Sequence, residues 1–429
     1  MDTNSACHSL WAACSPESPA KSPLLNNVKT DVTILGAGIC GLSAALHLAK
    51  KGLKVICLEA NVVGWGASGR NNGQVVAGLK LDPKEVIKHL GQERGEQLLD
   101  CSGVAPDLVF SLIKKYKIEC DALRHGWIQP ARSKNAIHEI TSRMQQWSNL
   151  GAAVEMINQN DLAYRLGTNW YSAALFDARG GCLNPLAYTR GLMRAACQEG
   201  AQVFEYSPVL SVNKHTQGWS VTTEQGKVLS EQVLICTNAY GQLDDKLTRS
   251  IVPVRTAQIA TKILDKKDWM RILPNKEAAS DASRLLTSFR ITADKRLIMG
   301  GAYATGGSEN AAMFKNLYRA AQNRFPFIND LQIDYKWSGY LAITPSHLPH
   351  IFKLDSGCYA AIGCNGRGIA MTTTMGKLLS EVLVSNSADS CHHCPVPITA
   401  PTPFTFHGFR NIGIAANVAW LDFLDRINH

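Results

Sequence analysis

Three glycines, Gly36, Gly38 and Gly41, stand between an apolar, β-branched run at 31–35 and a segment of helical pattern. That spacing suits an anion. The first glycine permits a tight turn, the second lets backbone approach a pyrophosphate, and the third lets helix and strand pack closely. Ala37, Ile39 and Cys40 complete the turn, and the following helix presents free amides and partial positive charge at its start. Glu59 lies eighteen residues past Gly41, at the end of the next apolar run, with Ala60 behind it. A carboxylate there accepts hydrogen bonds from both hydroxyls of a ribose and disfavours a 2′-phosphate. The pattern points to a dinucleotide of the FAD or NAD kind, not NADP.

A second polar cluster favours FAD. Gly66, Ala67, Ser68, Arg70, Asn71, Asn72, Gly73 and Gln74 bring small residues, a hydroxyl, a guanidinium and amides just past the ribose-binding strand. Such a loop suits a long cofactor lying extended. A further glycine turn, with Gly363, Asn365, Gly366, Arg367 and Gly368, feeds a helix that begins near Ile369, which is another anion site in form. Among residues able to touch a substrate, Arg367 can either grip a carboxylate bidentately or meet the flavin carbonyl oxygen. Arg290 and Arg296 read as one strand, six apart and therefore on one face, with substrate contact and salt bridges to Asp294 or Asp334 equally open. Tyr340 and Trp337 read either as cavity wall or as aromatic core. Cys391, His392, His393 and Cys394 are too tightly bunched to face one tetrahedral metal, and no second C-x-x-C completes a site, so no metal is expected.

These groups need elements to hold them. Residues 1–30, polar and proline-containing, read as a surface arm. A strand from about Asp31, a helix from about Leu42 to Lys51 stopped by Gly52, and a strand at Leu53–Ala60 make the strand–helix–strand unit of a parallel sheet. The pattern turns helical from Pro83 to about Ile118, over Ser133–Leu150 and over Leu186–Glu199. Strands are predicted at Val203–Val212, Val221–Val228 and Val233–Thr237, the last leading into a turn at Thr237, Asn238 and Ala239. The stretches 251–264 and 285–302 alternate as strands of a mixed sheet. A helix follows from Ile369 to about Val384, and an amphipathic one closes the chain near Ala415–Ile427.

The 429 residues suffice for two or three domain-sized units, and 45% hydrophobic with 18% charged residues describes a globular chain. The net charge of +9 is spread out, which favours anionic ligands. No basic stripe with interleaved aromatics speaks for nucleic acid. Thirteen scattered cysteines, an odd number, suit reduced thiols and a cytoplasmic setting. The N-terminus lacks the charge and apolar run of a secretory signal. Val32–Ala49 carries no Asp, Glu, Lys or Arg, but its glycines and its change of period argue against a transmembrane segment.

The stretches LSAALHLAKKG, GASGRNNGQ, GGCLNPLAYTRGL, SFRITADKRLIMGG, YKWSGYLAITPSHLPHIFKLD and GCNGRGIAMTTTMGKLLSEVL follow one another in the order of a known family. Over 31–385 the chain resembles the D-amino-acid-oxidase-like superfamily of FAD-dependent oxidoreductases, and within it the oxidases of γ-glutamylputrescine. The resemblance implies an α/β fold with a Rossmann-like FAD-binding domain, discontinuous over 31–82, 151–250 and 338–390. A substrate domain of mixed β-sheet plus helices would take 83–150 and 251–337, leaving 391–429 as a tail with its helix. By the same resemblance Val209 would meet the adenine, Thr237, Asn238 and Ala239 the pyrophosphate, and Gly363–Gly368 the isoalloxazine.

The implied reaction is amine or amino acid oxidation: hydride passes from the carbon bearing nitrogen to flavin, water hydrolyses the imine, and oxygen is reduced to peroxide. A γ-glutamylputrescine-like amine is the first expected substrate, with L-pipecolate or another secondary amino acid behind it. An amine dehydrogenase feeding a quinone and a tRNA-modifying oxidase are the alternatives. Relatives that oxidise N-methyl amino acids carry a lysine where Ala370 stands, and those that tether flavin carry a cysteine where Leu341–Pro345 has none. Non-covalent FAD is therefore expected.

Overall fold

Asn27–Leu35 is a strand whose last four residues are all buried, so it needs neighbours on both sides and cover on both faces. It finds them in parallel pairing with Val55–Leu58 on one side and Lys227–Ile235 on the other. The computed structural model describes residues 8–16, 21–304, 311–385, 394–405, 407–409, 412, 413, 416 and 420, with side chains at 302–304 excepted. Parallel strands Cys358–Ile362, Lys227–Ile235, Asn27–Leu35, Val55–Leu58 and Gln202–Phe204 lie in that order at the heart of a nine-stranded sheet. Helices Ile39–Ala49, Pro185–Gln198 and Gly368–Ser385 pack against it through Leu42, Leu46, Leu192, Met371 and Met375.

The second sheet has eight strands, in the order Ile333–Ile343, Val252–Thr261, Leu297–Ala304, Ser288–Ile291, Ala278–Ser280, Trp127–Ala131, Ala173–Asp177 and Val154–Met156. All pairs are antiparallel except Ala278–Ser280 with Trp127–Ala131, so the sheet is mixed as expected. Its last two strands come from 151–177, a stretch the sequence grouped with the first sheet. The helix Ala311–Arg324 covers it, with Leu317, Phe289 and Phe325 in the shared core. Beneath that helix Arg324 is paired with buried Asp281 at 2.7 Å and donates to the Tyr171 hydroxyl at 2.6 Å.

Several element boundaries differ from the sequence reading, each for a local reason. The first strand starts at Asn27, not Asp31, because Asn27–Thr30 pair in register with Lys227–Ser230, and its helix starts at Ile39, not Leu42, because Gly38 already caps it. Residues 8–16 are not a loose arm: Leu10–Cys14 is a helix whose Leu10 and Trp11 are buried. The helical stretch 83–116 is three helices, broken at Gly91, with φ of 78°, and at Val104. The strand predicted over Val203–Val212 breaks where Pro208 supplies no N–H and Tyr206 turns left-handed at φ 50°. Val221–Val228 is two strands of a hairpin, Gly218–Thr222 and Lys227–Ile235. Arg290 and Arg296 do not share a strand: Ser288–Ile291 and Leu297–Ala304 form a hairpin, and Arg296 sits in its turn. The predicted final helix lies largely outside the described residues, as do Cys391, His392 and His393. Cys394 is buried among apolar side chains.

Candidate active site

At the C-terminal end of the first strand the chain turns at Gly36 with φ +100°, a conformation that L side chains rarely adopt. A β-carbon at Gly41 would lie 2.0 Å from the Gly36 carbonyl oxygen, so only glycine lets the helix sit this close to the strand. At Gly38 the backbone is ordinary and the constraint is space: a β-carbon would meet the Ser68 hydroxyl at 2.8 Å. Glu59 accepts from the amides of Ala37 at 2.9 Å and Asn61 at 3.0 Å, which fixes the carboxylate beside the turn. Burial raises its pKa, and those amides pull the other way. Ser68 accepts from the amide of Ile39 at 3.0 Å and so joins the distant loop to the start of the helix.

A cavity of about 1250 Å³ opens from this turn and continues between the two sheets. Val252, Val254, Thr256 and Gln258, alternate residues on one face of their strand, line it from the second sheet. The expected residues Gly36, Gly38, Ile39, Cys40, Glu59, Ala60, Gly66, Ala67, Ser68, Arg70, Asn71, Asn72 and Gln74 line it too. So do Val209, Thr237, Asn238, Gly363, Asn365, Gly366, Arg367, Gly368, Ile369 and Tyr340. Ala37, Gly41, Gly73, Ala239 and Arg290 stand behind the lining.

Arg290 shows what that second rank does. It is buried, and its guanidinium donates to the carbonyls of Asn72 at 2.9 Å and Leu183 at 2.8 Å while lying over the Trp11 ring. It therefore shapes the loop and does not reach the cavity. Arg296 is held by Asp294 and Asp334, the structural alternative read from the sequence.

The loop at 66–74 is stitched along its length. Arg70 donates to the carbonyls of Trp65 at 2.6 Å and Ser338 at 3.1 Å, and Trp337 donates back to the Arg70 carbonyl at 2.8 Å. Asn72 donates to Gln258 at 3.0 Å, and Gln74 donates to the Ala279 carbonyl at 2.9 Å and accepts from Trp127 at 3.0 Å. The loop thus runs from the glycine turn, where Ser68 sits, to the second sheet, where Gln74 meets Trp127.

The two remaining turns are tied to each other. Asn238 accepts from the amide of Gly363 at 3.3 Å, and buried Asn365 accepts from the Thr344 amide at 2.9 Å while donating to the Gly363 and Leu348 carbonyls. Trp65, Tyr240 and Tyr340 form an aromatic wall, with ring centroids 5.7 and 5.9 Å apart in edge contacts. Tyr240 accepts from the Tyr340 amide at 2.9 Å, and the Tyr340 hydroxyl accepts from Arg255 at 2.6 Å.

Sequence reasoning missed Trp11, Lys80, Trp127, Arg143 and Tyr240. Lys80 and Arg143 read as ordinary polar residues, one in a loop and one on an amphipathic helix, and no local spacing links them. Among the described residues no three His, Cys, Asp or Glu side chains are placed to hold a metal.

The cradle fits an adenine dinucleotide. Its glycines keep the turn tight and the helix start close to the strand, Glu59 stands fixed beside the turn, and the cavity continues from there toward the second sheet. Fold and site together define a two-sheet flavoprotein oxidoreductase. A family model described as DAO, FAD dependent oxidoreductase, matches residues 31–382, and the chain belongs to that family.

It is 30% identical over 410 residues to gamma-glutamylputrescine oxidoreductase of Escherichia coli (strain K12), covering 93% of this chain and 96% of that protein. It is 31% identical over 411 residues to probable oxidoreductase OrdL of Haemophilus influenzae, covering 94% of each. Among solved structures, glycine oxidase from Geobacillus kaustophilus superposes with a TM-score of 0.72 at 20% identity, over 84% of this chain and 96% of that one. That likeness concerns the fold. The chain is an FAD-dependent oxidoreductase. Among its described residues no helix is long and apolar enough to cross a membrane.

Proposed function

We propose that this chain is an oxidase of a small amine or amino acid, with a γ-glutamylputrescine-like amine as its first substrate and molecular oxygen as electron acceptor. The balance is R–CH2–NH2 + O2 + H2O giving R–CHO + NH3 + H2O2. When bound, FAD supplies the two-electron acceptor for the C–N bond. We place it on Gly36–Gly41, Glu59, the loop at 66–74, Val209, Thr237–Ala239 and Gly363–Ile369, held without a covalent bond.

The observation that carries the reading is the chemistry of the cavity wall. Among the described lining residues Glu59 is the one carboxylate, and it is occupied at the glycine turn by the amides of Ala37 and Asn61. Among the described lining residues no acid stands at Tyr240 and Tyr340. A substrate whose reactive form is the neutral amine, oriented by aromatic walls, needs none. The relative from Escherichia coli bears the name of such a substrate, and its identity extends over nearly all of both chains.

The test is aerobic turnover with peroxide detection across γ-glutamylputrescine, L-pipecolate, L-proline, sarcosine and D-amino acids. We expect peroxide in equal amount to aldehyde with the first. Bleaching of the flavin under anaerobic conditions without peroxide in air would make the enzyme a dehydrogenase. Purified protein with no flavin spectrum and no affinity for added FAD would overturn the reading altogether.

A further inference from the structure

Gln258 ends a chain of hydrogen bonds whose direction is fixed at its start. The Trp127 indole N–H can only donate, and it donates to Gln74 Oε1 at 3.0 Å. The Ser280 hydroxyl donates to the same oxygen at 2.5 Å. The Gln74 nitrogen is then the donor, and it reaches the Ala279 carbonyl at 2.9 Å and Asn72 Oδ1 at 3.1 Å. Both lone pairs and both hydrogens of Gln74 are used, so its amide cannot turn over. Asn72 passes the direction on, its Nδ2 donating to Gln258 Oε1 at 3.0 Å. Gln258 is left with Nε2 at the free end of the chain, and Nε2 can only donate.

The place of Gln258 makes that donor a feature of the cavity. The residue is 6% exposed, and it lines the cavity from the strand Val252–Thr261, beside Thr256 on the same face. Its Nε2 has no partner among the described residues, yet it is not sealed in the protein as the unpartnered Glu277 Oε2 and His350 Nδ1 are. Gly300 stands opposite Gln258 on the neighbouring strand, and a β-carbon there would lie 2.2 Å from Oε1 and 2.5 Å from Nε2. The missing side chain is what lets the amide lie across that strand and meet Asn72. A tie between loop and sheet accounts for Oε1. It leaves Nε2 unexplained.

A donor this enclosed costs free energy until an acceptor meets it. The groups around it decide which acceptor fits. Asn72, Gln74, Thr256 and Ser280 all line the cavity with it, and all are uncharged. A neutral carbonyl oxygen matches them and escapes the desolvation that a charged oxygen would suffer.

We propose that Gln258 donates from Nε2 to a carbonyl oxygen along the chain of the amine substrate, and so selects amines that carry an amide. The proposal rests on the amine-oxidase reading and deepens it: a γ-glutamyl amide supplies such an oxygen, and putrescine does not. Selection of this kind acts mainly by rejection. An analogue without the carbonyl leaves the enclosed donor unpaired, and that loss falls on every step in which the chain is bound.

The measurement is kcat/KM for γ-glutamylputrescine against its analogue with the amide replaced by two methylenes, on the FAD-loaded enzyme. Wild type should favour the amide about tenfold or more. Gln258→Met is close in size and lacks the donor, so its ratio should fall toward one. Gly300→Ala keeps the amide of Gln258 but moves it, and should lower the ratio as well. γ-Glutamylbutylamine, which has the amide and lacks the reactive amine, reads the contact without turnover. Titrated against the flavin absorption band, it should bind about tenfold more weakly to Gln258→Met than to wild type.

Equal kcat/KM for the two amines in wild type would overturn the proposal and leave amine oxidation standing. So would an unchanged preference in Gln258→Met. A shifted flavin band in ligand-free Gln258→Met, with both amines slowed alike, would give the donor to the flavin and overturn the proposal too. Binding of γ-glutamylbutylamine that depends on Gln258, in an enzyme that oxidises neither amine, would instead uphold the carbonyl site and remove the oxidase reading.

Discussion

Gly38 separates two things that glycine can do in this turn. Gly41 serves packing, since its β-carbon would strike backbone, and Gly36 serves conformation through its positive φ. Gly38 has ordinary dihedrals and meets only the far end of the Ser68 side chain, so backbone strain and backbone packing leave it free, and we assign it to the ligand. Gly38→Glu should therefore give a folded protein that purifies without flavin, the added carboxylate occupying and repelling the pyrophosphate position. Gly41→Ala should lose stability before it loses affinity. Circular dichroism with the ratio of flavin to protein absorbance distinguishes them, and stoichiometric FAD in Gly38→Glu would refute the assignment. These residues were legible in sequence because their role is local: a turn of a few residues dictates each type. Arg290 was not. Its side chain is committed to the carbonyls of Asn72 and Leu183, remote in sequence, and no spacing announces such a partner.

The helix Leu10–Cys14 shows how an element of few residues can govern a larger one. Trp11 is buried, meets Trp337 edge-on at 6.2 Å, lies under Arg290 and donates to the Asn71 carbonyl at 2.8 Å. It thereby closes the outer side of the loop at 66–74, and Ser15 donates at 3.0 Å to Asn184, the N-cap of the helix Pro185–Gln198. Trp11→Ala should cost about 3–5 kcal/mol by cavity formation. Trp11→Phe should cost about 1 kcal/mol, mainly from the lost N–H bond.

Denaturant unfolding of the two variants, with flavin release read alongside, checks the order. If neither variant changes flavin retention, the helix does not support the loop. The sequence read residues 1–30 as an arm because five helical residues have too little periodicity to register, and only the docking of Trp11 makes them an element. The same limit explains the three helices of 83–116. Composition carried helix through the whole stretch, while the breaks depend on the left-handed turn at Gly91 and on Val104.

At the scale of the molecule, two sheets with separate cores share one cavity, and residues of both line it. The mixed second sheet and the parallel heart of the first were foreseeable from strand patterns and glycine turns. Which strands join which sheet was less so, because Ala173–Asp177 pairs with both Trp127–Ala131 and Val154–Met156 across the intervening helices Lys134–Asn149 and Gln159–Leu166. A cofactor seated across the cavity bridges the two cores, so its binding energy acts on the whole fold. A ligand held by the native state alone stabilises by about 2.7 kcal/mol at a hundredfold excess over Kd, and the gain grows with the logarithm of its concentration.

Flavin-stripped protein should accordingly melt at a lower temperature than holoenzyme, and its midpoint should climb steadily as FAD is added back. NADP, whose 2′-phosphate meets Glu59, should leave the midpoint unmoved. Differential scanning at several FAD concentrations provides the measurement. A midpoint independent of FAD would mean that the cavity between the sheets is not where the cofactor binds, and a rise with NADP equal to that with FAD would remove the role given to Glu59.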